Sequence, residues 1–179
     1  LMLTDQKNIF LIGFMASGKS TVGAVLAKRL QWKFMDADKA IERRQKLSVR
    51  SLILNRGEKT FRKIESREIR QMARKSQHVI ALGGGAIINK ESVRQIRRSG
   101  TVVYLKASFA TLFKRGDSQR LSRPLWQGNT KMERKQSLRR LFLARRSAYL
   151  HSAHYIISAR GTPEEITTRL IKKVKLHGI

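Results

Sequence analysis

Residues 8–21 read NIFLIGFMASGKST, and this stretch decides the fold. The apolar run Asn8–Ile12 is typical of a buried parallel strand, and it stops at Gly13. Residues 13–20 match the pattern G-x4-G-K-S, and apolar residues at helical spacing follow over 21–30. A glycine-containing loop between a strand and a helix surrounds phosphate groups with backbone N–H groups, and the helix N-terminus favours anions. The sequence therefore predicts a nucleotide-binding phosphate loop.

The residues of this loop have distinct chemical uses. We expect Lys19 to reach the β- and γ-phosphates and the Ser20 hydroxyl to ligate Mg²⁺. A structural glycine turn is the alternative, but the strand before the loop and the helix after it favour nucleotide binding. The phosphate-binding residues predicted from the motif are Gly13, Ala16, Ser17, Gly18, Lys19, Ser20 and Thr21.

Composition limits the class of protein. The chain has 179 residues, with 39 Lys or Arg against 12 Asp or Glu and a net charge of +27, and it has no Cys. This length predicts a single domain over 1–179, and the absence of Cys excludes disulfides and Cys-ligated zinc. No apolar run reaches the length of a membrane span and no signal peptide is visible, so we expect a cytoplasmic protein. A well-solvated, self-repelling surface explains most of the basic excess.

Beyond the loop, strand and helix patterns alternate. Short apolar runs at 33–35, 78–82, 101–105 and 155–157 predict further strands. We therefore expect a three-layer α/β/α fold around a central parallel sheet of about five strands. The first predicted helix after 21–30 begins at about 38. The others cover 49–55 after a Ser48 N-cap, 61–73, 89–98, 108–114, about 132–149, and 163 to about 174 after a capping box at 162–165. Between them, 116–130 has no apolar period and predicts a long loop of the lid kind.

Two carboxylates follow the second predicted strand. Asp36 and Asp38 stand at the edge where ligands bind in open parallel sheets. Because they are two apart on an extended segment, we expect both to face the cleft. There they could hold a metal-bound water and accept a hydrogen bond from a substrate hydroxyl. The alternative for Asp38 is an N-cap of the next helix.

Three further motifs each have a structural and a functional interpretation. Arg62 and Glu65 are three apart on a predicted helix, where an ion pair is an ordinary feature. The triple glycine at 83–85 loses backbone entropy on folding, which is explained if a ligand must approach the main chain closely. Arg123 lies in the predicted lid, where it is either one more surface cation or the cation that stabilises a phosphoryl-transfer transition state.

Together these motifs resemble those of shikimate kinase, over about residues 10–174. The residues that carry the resemblance are GFMASGKST at 13–21, D-A-D at 36–38, F-R-x-x-E at 61–65, G-G-G at 83–85, R-P-L at 123–125 and R-R-S-A-Y at 145–149. The resemblance implies ATP-dependent phosphorylation of the 3-hydroxyl of shikimate, a step toward chorismate and the aromatic amino acids. It also implies a P-loop kinase fold with substrate-binding helices at about 38–73 and a lid at about 116–130.

The same resemblance implies roles for individual residues. Asp38 would hold the reacting hydroxyl and accept its proton, while Arg62 and Arg145 would bind the substrate carboxylate. The substrate-binding residues implied are Asp38, Arg62, Gly83, Gly84, Gly85 and Arg145. Lys19, Asp38 and Arg123 would be the catalytic residues, with Lys19 and Arg123 neutralising charge on the transferred group.

On the nucleotide side, Arg115 and Arg160 match adenine-binding positions, and Arg123 also contacts ATP. Mg²⁺ is the implied cofactor, near Ser20 directly and near Asp36 through water. Ala16 replaces a glycine that many members of the family carry, which is compatible with the loop if φ is negative there. Ala81 and Leu82 stand where relatives often place a Ser or Thr that holds a metal-bound water.

Three alternatives are considered at this point: another small-molecule P-loop kinase, a catalytically silent binding domain, or a nucleic-acid-binding role driven by charge. No helix-turn-helix or aromatic stacking motif supports the last of these. A silent domain should have lost Lys19, Asp38 or Arg123, and all three are present. We expect ATP and shikimate as partners, no membrane, no specific nucleic acid and a monomeric state.

Overall fold

The computed structural model describes residues 8–118 and 130–175. Within these residues the chain forms five strands and seven α-helices, with a short 3₁₀ turn at Ala86–Ile88. The strands are β1 (Asn8–Ile12), β2 (Lys33–Asp36), β3 (His78–Ala81), β4 (Thr101–Lys106) and β5 (Tyr155–Ser158). The helices are α1 (Lys19–Leu30), α2 (Ala37–Gln45), α3 (Val49–Ala73), α4 (Lys90–Ser99), α5 (Phe109–Ser118), α6 (Lys131–Ser152) and α7 (Pro163–Lys175).

All strand pairs are parallel, and the strand order is β2-β3-β1-β4-β5. A parallel sheet needs cover on both faces, and β1 shows how this chain supplies it. Phe10 is fully buried on one face, against side chains of α3 to α6, while Leu11 is fully buried on the other, against α1 and α7. The predicted three-layer α/β/α fold with a five-stranded parallel sheet is confirmed.

Helix ends follow the predicted capping residues. The Ser48 side chain accepts a hydrogen bond from the Ser51 N–H at the start of α3. Thr162 and Glu165 exchange the two reciprocal hydrogen bonds of a capping box at the start of α7. A second capping box, between Thr130 and Glu133, begins α6 and was not predicted.

The prediction of a loop over 116–130 is wrong at its first residues, because α5 continues to Ser118. The Asp117 carboxylate lies 3.1 Å from Lys131 Nζ, so it links the end of α5 to the start of α6. Residues 119–129, which include Arg123 and most of the predicted lid, lie outside the described residues. None of the helices described has the length and apolar character needed to cross a membrane.

The two helices predicted at 49–55 and 61–73 are the arms of α3, which is interrupted at Gly57. Gly57 has φ 78° and ψ 155°, a conformation that is essentially restricted to glycine. Ile41 of α2, Leu52 of the first arm and Phe61 of the second arm form one buried cluster. The angle at Gly57 therefore lets both arms pack on α2 while the second arm follows the sheet.

We predict that Gly57→Ala lowers the free energy of unfolding by about 1–3 kcal/mol, since alanine is strained in this conformation. No atom lies within 4 Å of a Cβ built at this position, so a steric clash would not contribute. Urea denaturation followed by circular dichroism measures the effect. Asn55→Ala, in an exposed position of the same helix, is the control and should change stability by less than about 0.5 kcal/mol. Equal stability of the two variants would show that the Gly57 backbone is not under this constraint.

Candidate active site

The predicted site residues come together at the carboxyl edge of the sheet. β3 lies between β2 and β1, so the segments that follow these three strands are neighbours. They border one cavity of about 800 Å³, whose wall also includes the second arm of α3, Arg115 and Arg145. This is the edge at which open parallel sheets bind ligands.

The phosphate loop has the backbone that its glycines predict. Gly13 has φ 153°, and a Cβ there would lie 2.9 Å from the Leu105 carbonyl oxygen. Gly18 has φ 90° and is the N-cap of α1. The Lys19 ammonium donates to the carbonyl oxygens of Gly13 and Phe14, at 2.8 Å and 3.0 Å. Lys19 therefore lies over its own loop, where phosphate oxygens would take the place of these carbonyls as acceptors.

Ala16 does not meet the condition of a negative φ under which alanine is readily compatible with the loop. Ala16 has φ 59°, in the left-handed region, and it lines the cavity. An L-residue with a Cβ atom is disfavoured there by roughly 1–2 kcal/mol. The loop forms a turn here, in which the Ser17 N–H donates to the Phe14 carbonyl at 3.2 Å, and Ala16 adopts the left-handed conformation at that cost.

Asp36 and Ser20 meet at the end of β2. The Ser20 hydroxyl donates to Asp36 Oδ2 at 2.6 Å, and both residues line the cavity. Asp36 Oδ1 also accepts a hydrogen bond from the Lys39 N–H, so Asp36 is the N-cap of α2. The predicted extended segment carrying both Asp36 and Asp38 is therefore wrong. α2 begins at Ala37, and Asp38 lies in its first turn.

A hydroxyl and a carboxylate oxygen are the donors that Mg²⁺ prefers. Ser20 and Asp36 therefore fit the predicted cofactor. No cluster of three His, Cys, Asp or Glu side chains able to hold a metal ion occurs in 8–118 or 130–175. This agrees with the usual binding of Mg²⁺ by one or two protein oxygens together with water and phosphate oxygens.

Gly83 brings two acidic side chains close to the main chain. A Cβ built on Gly83 would lie 2.6 Å from Asp38 Oδ1 and 2.9 Å from Glu65 Oε1. A side chain at Gly83 would therefore displace carboxylates that already belong to the protein. Asp38 and Glu65 are close enough for the charge on Asp38 to raise the pKa of Glu65.

Arg62 and Glu65 form the predicted ion pair, at 2.7 Å, and Arg62 also pairs with Glu58 at 2.9 Å. Glu65 is only 3% exposed. Burial raises the pKa of Glu65, and the Arg62 charge opposes that shift. Burial alone would lower the pKa of Arg62, but the Glu65 and Glu58 carboxylates outweigh it and raise that pKa. Gly85 lies close to the Arg62 guanidinium, and a Cβ built on Gly85 would collide with Arg62 Nη2.

Arg145 enters the cavity from α6 and is 6% exposed. Its Nη1 donates to the Gly84 carbonyl at 3.3 Å, but its buried Nε has no hydrogen-bond partner among the described residues. It also forms no ion pair with them. Burial lowers the pKa of Arg145, and repulsion from Arg62 adds to that effect. This buried cation borders the cavity, so an anion bound there could balance its charge.

Tyr149, one helical turn after Arg145, supports the triple glycine. Its hydroxyl donates to the Gly84 carbonyl at 2.5 Å, and its ring stacks on Tyr104 of β4 with centroids 5.1 Å apart. Burial raises the pKa of Tyr149 well above its usual value, so the hydroxyl keeps its proton. Sequence reasoning missed Tyr149 and Glu65 as site residues. Both lie within the motifs quoted above. The sequence signal for them was a charged or hydroxyl side chain at a helix position whose spacing predicts burial.

The three arginines predicted to contact ATP differ in where they lie relative to the cavity. Arg115 lines the cavity and donates to the Ala159 carbonyl at 3.1 Å. Arg160 is exposed and is not part of the cavity wall, although its neighbour Gly161 is. The structure therefore brings Arg115, and not Arg160, to the cavity wall, and adenine binding stays a prediction for both. Arg123 lies outside the described residues, and its role stays a prediction.

A phosphate loop that faces carboxylates and arginines across one cavity, on this sheet, defines a P-loop kinase. A protein-family model described as shikimate kinase matches residues 15–175. The chain therefore belongs to the shikimate kinase family. It is a kinase that uses ATP to phosphorylate shikimate, as the sequence resemblance implied.

Individual relatives agree with this assignment. The chain is 36% identical to the shikimate kinase of Thermodesulfovibrio yellowstonii over 169 residues, which cover 94% of this chain and 95% of that one. It is 38% identical to that of Moorella thermoacetica over 166 residues, or 93% and 92% of the two chains. The solved structure of the Acinetobacter baumannii shikimate kinase in complex with shikimate has a TM-score of 0.91 at 30% identity, covering 98% of this chain and 96% of that one. A deoxyadenosine kinase from M. mycoides, at 13% identity and a TM-score of 0.59, shares the fold alone.

We predict that Tyr149→Phe raises the KM for shikimate more than it lowers kcat, because the Gly84 carbonyl loses one of its two side-chain donors. A hydrogen bond of this kind contributes about 1 kcal/mol, so the KM should rise roughly fivefold. Steady-state kinetics at varied shikimate measures it, and the KM for ATP should stay unchanged. Tyr155→Phe, on β5 away from the cavity, is the matched control. An equal rise of both KM values would contradict a role confined to the acceptor side.

Proposed function

We propose that this chain transfers the γ-phosphoryl group of ATP to the 3-hydroxyl of shikimate, with Mg²⁺ as cofactor. The observation that carries the proposal is Arg145, a buried cation that borders the cavity without a carboxylate partner among the described residues. Shikimate is a hydroxylated carboxylic acid, and its carboxylate would supply the missing anion. The product would enter the biosynthesis of aromatic amino acids.

Two arginines would hold the substrate carboxylate. A guanidinium presents donors in a planar fork that matches a carboxylate, and Arg145 borders the cavity without a carboxylate partner among the described residues. Arg62 is already oriented by Glu58 and Glu65, so its direction is set before the substrate binds. The negative charge of the substrate would also relieve the repulsion between the two arginines that lowers the pKa of Arg145.

Asp38 would face the reacting hydroxyl. Its carboxylate lies beside Gly83, between the phosphate loop and the acceptor side of the cavity. A carboxylate there can accept a hydrogen bond from the hydroxyl, orient its lone pair toward the γ-phosphorus, and take the proton as the new P–O bond forms. Glu65, buried and paired with Arg62, would remain in place and keep Asp38 from turning toward Arg62.

On the opposite side of the cavity, Lys19 would bind the β- and γ-phosphate oxygens. The loop N–H groups and the N-terminus of α1 would add favourable field for the same charges. Ser20 and Asp36 would hold Mg²⁺, which when bound neutralises charge on the phosphates. Arg123, in the predicted lid, would complete the set of cations. We also infer a monomer, because a net charge of +27 opposes self-association.

Asp38→Asn tests the proton-accepting role. We predict that kcat falls by about 10²–10⁴, because the amide accepts no proton, while the dissociation constant for ATP stays unchanged. Coupled ADP release with and without shikimate, together with nucleotide binding, measures both. Glu164→Gln, an exposed position on α7, is the control for loss of one negative charge. A well-active Asp38→Asn enzyme would remove Asp38 from the mechanism.

Arg145→Gln tests the carboxylate site. Losing a charged hydrogen bond of about 1.5–3 kcal/mol should raise the KM for shikimate by roughly 10- to 150-fold, with a small effect on the KM for ATP. Arg146→Gln, the exposed neighbour, is the matched control. If the wild-type enzyme turns over ATP with another hydroxylated acid and not with shikimate, the assigned acceptor is wrong. If it binds ATP and turns over with neither, the chain is a silent domain.

A further inference from the structure

The outer face of the second arm of α3 carries a row of basic residues. Lys59, Lys63, Arg67, Arg70 and Arg74 are separated by four, four, three and four positions, and each is exposed. Helix positions three or four apart lie on the same face, so these five side chains form one line, which we call the outer stripe. At 1.5 Å per residue the outer stripe is about 22 Å long.

The outer stripe points away from the catalytic cavity. Glu65, Ile69 and Met72 alternate with it along the helix and are all buried on the opposite face. Arg62 leans toward the cavity and pairs with Glu65. None of the five stripe residues belongs to the cavity wall. A ligand on the outer stripe would therefore leave the kinase site open.

The charge of the outer stripe is not neutralised within the helix. The three acidic residues of α3 already pair with other cations, Glu58 and Glu65 with Arg62, and Glu68 with Arg44. Across 8–118 and 130–175, none of the stripe side chains forms an ion pair or a hydrogen bond. Like charges at this spacing destabilise a helix. The row of basic residues therefore does not stabilise its own helix.

α4, which packs beside the second arm of α3, also carries exposed basic residues. The Ser66 and Ser92 hydroxyls lie 2.7 Å apart and hold α4 beside the second arm of α3. α4 adds exposed Lys90 and Arg98, while its acidic residue, Glu91, is paired with Arg94.

We propose that the outer stripe binds the phosphate backbone of a double-stranded nucleic acid without reading its sequence. A straight row of cations about 4.5–6 Å apart matches a stiff, regularly spaced row of phosphates. The exposed residues beside the stripe, Thr60 and Gln71, are neutral and have no ring on which an unpaired base could stack, which disfavours a single strand. This inference goes beyond the kinase activity.

A lipid surface fits the outer stripe less well. Helices that lie on membranes bury a face of large apolar residues beside their cations. The large apolar residues exposed in the described parts of the chain are Leu54, Ile88, Met132, Leu143 and Ile156. None of them lies between residues 58 and 75. The outer stripe offers charge without an apolar face, which is the composition of a phosphate-backbone site.

The test is a salt titration of binding to a fluorescein-labelled, random-sequence DNA duplex longer than the stripe, read by fluorescence anisotropy with the full chain. Each phosphate contact adds about −0.9 to the slope of log K against log salt concentration. Five contacts therefore predict a slope of about −4.5 from the outer stripe alone. No measurable binding at low salt would overturn the proposal.

Two triple variants separate the outer stripe from the general charge. Lys63→Gln with Arg67→Gln and Arg70→Gln removes the centre of the stripe. Arg43→Gln with Arg139→Gln and Lys172→Gln removes the same charges from exposed positions on three other helices. The stripe variant should have a slope shallower by about 2.7 and an affinity at least about tenfold weaker near ~0.1 M salt, and the scattered variant should change by less than about one unit of slope. Equal losses in the two variants would overturn the proposal, because they would assign binding to net charge.

Kinase activity reports folding in the same samples. Both triple variants should keep the shikimate-dependent rate of the wild type, since none of their positions lies in the cavity wall. If the stripe variant does not fold, Lys59→Gln with Arg74→Gln tests the ends of the same row, with an expected loss of about 1.8 in slope. Tighter binding to single-stranded DNA than to the duplex would overturn the duplex assignment. Binding to vesicles rich in anionic lipid without binding to the duplex would overturn the proposal in favour of a membrane.

Discussion

The active site depends on the position of β3 between β2 and β1. Parallel strands end at the same edge of a sheet, so this strand order alone brings the phosphate loop, the start of α2 and the triple glycine into contact. The sheet is covered on both faces, because Phe10 and Leu11 of β1 pack into different cores. The positions of the segments that border the cavity therefore depend on the packing of the sheet.

The active site also requires space for charged side chains beside the triple glycine. Asp38 and Glu65 contact Gly83, the Arg62 guanidinium lies against Gly85, and the Gly84 carbonyl accepts from α6. A side chain at Gly83 or Gly85 would displace a charged group, so the glycines are explained by the protein's own ions as well as by a ligand. Burying these ions is unfavourable unless they are paired. Glu65 and Arg62 meet that condition, whereas Arg145 lacks a carboxylate among the described residues. The cavity is thereby complementary to one more anion.

Patterns that depend on local sequence predicted the fold well, and patterns that depend on a contact between distant segments did not. Strand β1, the loop and the Thr162 capping box follow from a few adjacent residues. The change from strand to helix at Ala37 depends on one side chain. Asp36 caps α2, and Asp38 therefore lies on the helix. The positive φ of Ala16 follows from the path of the loop, which the residue type does not reveal. Tyr149 acts through a carbonyl 65 positions earlier in the chain, and no spacing rule contains that contact.

The basic excess of the chain becomes clearer when α3 is divided by face. The inner face carries Arg62 and Glu65, which form an ion pair and border the cavity. The outer face has basic residues at 59, 63, 67, 70 and 74 and no acid among them. Selection for charge in general would place cations on exposed faces without regard to helical spacing, and would tolerate acids among them. A regular line of five therefore indicates a ligand with its own regular spacing of negative charge, and the rigid core behind Ile69 and Met72 keeps that line straight.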